Sequence, residues 1–181
     1  MRLGKKGKDR KVMELLKNKI FEVNARIITI AQFEQWLYTT QGIAENIETN
    51  DFIMKMVSLN YKDKNIHNIL EKICFEEYDQ EEFLIKMIEL NCLHLAQVTG
   101  SQEMWKIVNT ICRYNNLESN YRLINKFYYL EDEISLAQGG LIKESVVIAG
   151  FQKLARDILS ALEGLSLFGR KNILISGDIE V

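Results

Sequence analysis

Two histidines and three cysteines are the side chains best placed to supply a metal ligand or a nucleophile: His67, His94, Cys74, Cys92 and Cys112. Their spacing argues against both roles. Cys92 and His94 are two apart, and residues so spaced on a helix face different ways. His67 and Cys74 share a helical face at i, i+7, but no further donor stands beside them, whereas a protein zinc site takes three or four protein ligands. His94 continues the stripe of Phe83, Met87 and Leu90, which makes it a core or core-edge residue. The three cysteines form no CxxC pair and no even framework, and each falls in an apolar helical stripe, where a thiol acts as a small hydrophobe. A reducing, cytoplasmic setting follows as the expectation. Phosphate-binding loops, dinucleotide fingerprints, HExxH and GxSxG are all missing from the sequence. The chain is therefore expected to hold no metal and no cofactor and not to be an enzyme.

Acids and aromatics carry the remaining signals. Glu71, Glu76, Glu77, Asp79, Glu81 and Glu82 stand against Lys72 in one short stretch. Asp79, Glu81 and Glu82 fall where a helix begins, and negative charge there is favoured by the helix dipole. Glu76 and Glu77 fall at a helix C-terminus, where that reason does not apply, which makes them the better candidates for docking a basic partner. Glu131, Asp132 and Glu133 form a second acidic patch, read as a solvated face. Among the aromatics, Tyr128 and Tyr129 adjoin on a helix, so at least one must point outward, and Tyr is enriched where proteins bind each other. The partner-binding candidates are accordingly Glu76, Glu77, Asp79, Glu81, Glu82, Tyr128 and Tyr129.

Positioning these residues falls to helices. Proline is absent and glycine is sparse, as suits helices joined by short polar turns. With 181 residues, 47% apolar and 27% charged, the chain is large enough to bury a core without disulfide or metal support. Residues 1–19 hold eight Lys/Arg and two Asp/Glu, a net of +6, while residues 20–181 hold fifteen and twenty-three, a net of −8. Residues 1–11 read as a basic disordered tail, because like charges repel and there is little to bury. Met13, where the helical pattern begins, is a second candidate start. An acidic body disfavours nucleic acid as a partner, and no apolar run is long enough for a membrane span.

The 3.6-residue periodicity predicts helices near 11–25, 30–40, 51–59, 64–77, 80–98, 120–137 and 143–163, and another after Ser101 that carries Met104, Trp105, Val108, Ile111 and Cys112. Thr29 and Gln32 have capping-box spacing, with Ile28 and Phe33 placed as a hydrophobic staple. Asp63, Asp79 and Ser101 read as further caps, and the helix after Asp79 is apolar on nearly all sides, as befits the middle of a bundle. Ile173, Leu174 and Ile175 are β-prone and suggest a short strand or hairpin. The expectation is an all-α multi-helix bundle, or a short stack of helical pairs, of about seven helices: a single domain over residues 12–164, followed by a C-terminal loop and short strand over 165–181.

The run Thr29 to Tyr38, carrying Phe33-Glu34-Gln35-Trp36-Leu37-Tyr38, continues into Asp51 to Tyr61 and then Ile66 to Ile73. This succession, an FExWLY helix before an LxxxNY-like segment, resembles small helical immunity proteins of bacterial polymorphic-toxin loci and spans about a quarter of the chain. The resemblance implies a protein that binds a cognate toxin domain and neutralises it. In it, Phe33, Trp36, Leu37 and Tyr61 are structural residues that hold the first helices together, and it carries no partner-contact positions. The other expectation is a helical adaptor or regulator, homodimeric through residues 143–181.

Overall fold

The computed structural model describes residues 3–114 and 121–179, with side-chain positions from residue 9 onward and Tyr129 excepted. Every regular element among them is a helix, in keeping with the all-α class expected. The chain divides at Tyr78 and Asp79 into two units, residues 1–78 and 79–181.

The first unit contains α1 (Leu3–Asn24), α2 (Ile30–Thr39), the short α3 (Gln41–Ala44), α4 (Asp51–Val57) and α5 (Ile66–Glu77). α1 packs against α2, α3 and α5. It buries Leu16, Ile20, Phe21 and Val23 completely, and each such burial is worth about 1.5–3 kcal/mol relative to exposure. α3 comes so close to α1 that a Cβ on Gly42 would lie 2.7 Å from Val12 Cγ2. α1 stops in a Schellman turn: Ile27 N–H donates to Glu22 O (3.0 Å) and Arg26 N–H to Val23 O (3.3 Å), with Arg26 at φ 63° where glycine is usual. The box at Thr29 and Gln32 forms in both directions and starts α2. Phe33 then lies between Trp36 (centroids 6.1 Å) and Tyr61 (5.9 Å). Tyr61 donates its hydroxyl proton to Met56 O at 2.7 Å. Tyr78, at the end of α5, meets the rings of Phe21 and Phe52 edge-on, which ties α1 and α4 to that end of the unit.

The second unit contains α6 (Gln80–Leu95), α7 (Ser101–Cys112), α8 (Arg122–Gln138), α9 (Glu144–Leu162) and α10 (Leu167–Ser176). α6 is the central helix expected from its all-round apolarity: it packs against α7, α9 and α10 and buries Phe83, Leu84, Ile85, Met87, Ile88, Asn91, Cys92 and Leu95. Asn91 satisfies itself by donating to Met87 O, 2.9 Å away. No helix among the described residues is long and apolar enough to cross a membrane.

The two ends of the chain differ from expectation. Residues 3–11, read as disordered, belong to α1. Once Val12 to Val23 are held by packing, extending the helix adds one hydrogen bond per residue fixed and needs no new nucleus. The tail read as a strand or hairpin is α10 instead. Ser166 caps it by accepting from Gly169 N–H, and Gly177 closes it in the left-handed conformation at φ 71°. Leu174 is fully buried where α10 packs on α6 and α8. Tertiary burial thus overrides the β preference of the Ile-Leu-Ile run. Two cap assignments also move. Asp63 makes a local turn to Asn65 N–H (2.7 Å) ahead of α5. α7 begins after Gly100, its first amide held by Glu144 Oε1.

Candidate functional site

The acidic stretch singled out from the sequence is largely matched to cations of its own fold. In the first unit, Lys55 of α4 places its Nζ 3.6 Å from both Glu76 Oε2 and Glu77 Oε1, and Lys72 adds a contact of 3.7 Å to Glu76. The helix dipole does not favour these two acids, but a lysine from a neighbouring helix does. All of these groups are solvated, so the pairs add little to stability.

Asp79, Glu81 and Glu82 belong to the second unit. Asp79 caps α6 by accepting from Glu82 N–H at 2.8 Å. Its other oxygen takes a hydrogen bond from Lys171 Nζ at 2.8 Å, and Glu81 Oε2 lies 3.1 Å from the same ammonium. The next residue of α10, Arg170, pairs with Glu89. The Lys171 hydrogen bond, with the Glu82 amide second, holds the Asp79 carboxyl below its ordinary range, and the same contact raises Lys171. These acids anchor α10 to α6, and the structure gives Asp79 and Glu81 a task inside the fold.

Tyr128 stands half exposed on α8, whereas the side chain of Tyr129 lies outside the described residues. The four motif residues lie together in the first unit: Phe33, Leu37 and Tyr61 are buried, and Trp36 is half-buried against Phe33. Burial raises the Tyr61 phenol well above its usual value.

The histidines and cysteines form no reactive constellation. His94 is solvent-exposed, contrary to the core or core-edge position expected, and pairs through Nε2 with Glu103 at 3.0 Å. It lies near the end of α6, beside Leu95, which is buried. All three thiols are buried. Burial first, and a nearby carboxylate second, push Cys112 up to about 12 and move Cys74 and Cys92 upward as well. A thiol so shifted is not a thiolate nucleophile at neutral pH. Among the described residues, no group of three or more His, Cys, Asp or Glu is placed to hold a metal ion.

Two hollows are small for a ligand. One, of about 40 Å³, is lined by Ser101, Met104, Ile134, Ala137, Gln138, Glu144 and Val147. The other, of about 240 Å³, lies between Asp9 and Met13 of α1 and Asn46, Thr49, Asn50 and Ile53. Drug-sized ligand pockets typically run to roughly 300–1,000 Å³.

The structure adds surface features that sequence reasoning missed. Trp105, Leu136, Leu141, Val146 and Phe168 are exposed. Trp105 sits beside the Met104–Val108 stripe of α7 and off its centre, which was the available signal. Leu141 and Val146 lie where α8 turns into α9, outside any periodic run. No family model, no curated protein and no solved structure matches the chain.

Proposed function

We propose that this chain is a non-enzymatic protein-binding domain that acts as an immunity protein, neutralising a cognate bacterial toxin by direct binding. The observation that carries the reading is the Thr29–Tyr61 motif. Its capping box, its Phe33–Trp36–Tyr61 aromatic contacts and its buried Leu37 serve the structural part that the resemblance assigns to those residues. A body that also leaves Trp105, Tyr128 and Phe168 exposed offers the aromatic surface on which protein partners gain affinity. Co-expression tests it. The full chain is expected to restore growth to cells producing a toxin domain drawn from the genes that neighbour its own; a neighbourhood with no such domain, or continued growth arrest with the chain well expressed, would reject the reading.

A second reading, a homo-oligomeric adaptor, draws on a different observation. Leu165, Leu167, Phe168 and Ile175 are exposed within residues 143–181. Light scattering on the purified chain separates the two: a dimer lost on Phe168→Ser favours the adaptor, and a monomer favours the immunity protein.

A further inference from the structure

We propose that a basic protein surface docks on the face that runs along α8 and around its turn into α9. Tyr128, Asp132 and Leu136 recur every four residues and so form one stripe of α8. Tyr128 is 51% exposed and Leu136 42%. Gly139 and Gly140, the latter at φ 73°, end the helix, and Leu141 N–H donates to Leu136 O at 2.9 Å, which holds Leu141 at the end of the stripe. Leu141 is 75% exposed, and Val146 in the first turn of α9 is 60% exposed. Loose packing does not explain this. On the opposite side of α8, Leu123, Phe127 and Ile134 are buried to 1% or less. Four apolar side chains left in water along one continuous segment mark an interaction surface.

Charge selects the partner. Asp132 lies within the stripe, Glu131 and Glu133 flank it, and none has an ion pair among the described residues; Lys126 and Lys143 bracket the segment and pair with none of them. The other conspicuous acids are held internally: Glu76 and Glu77 by Lys55, Asp79 and Glu81 by Lys171, Glu89 by Arg170. Unpaired carboxylates thus stand beside the exposed apolar row. An apolar centre with a charged border is the usual anatomy of a protein interface. The Tyr128 ring can also take an arginine on its face. Phosphate backbones and anionic bilayers would meet like charge here.

The proposal rests on the immunity reading only for the partner's biological identity, and the surface is tested with a probe that needs no toxin. The probe is an amphipathic leucine–lysine peptide titrated into the full chain, followed by amide chemical shifts. Shifts concentrated between Tyr128 and Val146 are expected. The double variant Leu141→Ser/Val146→Ser and the charge variant Asp132→Lys/Glu133→Lys are each expected to weaken binding about tenfold, about 1.4 kcal/mol. These positions lie at the surface, so circular dichroism should report an unchanged fold, and two chemically different variants guard against one misfolding. Shifts centred elsewhere, no binding, or affinities within twofold of the parent would overturn the proposal. So would self-association abolished by Leu141→Ser, which would assign the face to a second copy. Failed growth rescue with the peptide still mapping to this face would discard the immunity reading and keep the surface.

Discussion

Lys171 Nζ lies 2.8 Å from Asp79 Oδ2, an ion pair across 92 positions of sequence that fastens α10 to the first turn of α6. Asp79 therefore does two jobs at once, because its other oxygen caps α6. Asp79 and Glu81, which look like part of a docking patch in the sequence, hold the last helix in place, and the proposed docking face lies on α8.

This pair has a defined pH window. The folded carboxyl of Asp79 titrates below its ordinary 3.8, so its contribution is present above that value and is lost as pH falls through the folded pKa. Lys171 is raised above 10.5, so its contribution is present below that value and is lost as pH rises through the folded pKa. Lys171→Ala is thus expected to lower the urea midpoint slightly on a plateau between about pH 4 and 10. The difference from the parent should shrink as pH falls below 3.8 and through the folded pKa of Asp79. A difference that stays constant down to the onset of acid unfolding would mean that packing of the lysine stem, and not the ion pair, is responsible.

Gly177 tests whether the C-terminal segment is the docked helix seen here. A Cβ at this position would lie 3.0 Å from the carbonyl carbon of Arg122, and its φ of 71° favours glycine. Gly177→Ala is expected to cost about 1–2 kcal/mol in thermal or urea unfolding. An unchanged melting temperature would place residues 167–177 off α8.

The Thr29 box and the aromatic contacts beneath it make a graded prediction. Thr29→Ala removes the acceptor of Gln32 N–H (3.2 Å) and should cost about 0.5–2 kcal/mol. Phe33 is fully buried, so Phe33→Ala should cost about 3–5 kcal/mol. Trp36 is only half-buried, and Trp36→Ala should cost clearly less than Phe33→Ala. Denaturant melts of the three variants check the order, and a reversal of the two aromatic values would contradict the packing.

The features legible in the sequence were those encoded within a few residues. The Thr29–Gln32 box, the Asp79 cap and the all-round apolarity of α6 are local patterns, and each forms as read. What depended on distant partners was not legible. Ile173, Leu174 and Ile175 favour a strand until Leu174 is buried against the second unit's core, although Ser166 and Gly177 were cap signals at both ends of α10. The matching of Asp79 by Lys171 has no local signature. Nor does the exposure of Leu141, which depends on how α8 turns into α9 and not on its neighbours in sequence.

The most direct test of the central claim is to mix the purified full chain with a candidate toxin domain, chosen from the genes that neighbour its own, and weigh the product by size-exclusion chromatography with light scattering. A stable stoichiometric complex in which the toxin has lost its activity is the predicted result. Separate elution of the two proteins, with the toxin fully active at an excess of this chain, would contradict the claim.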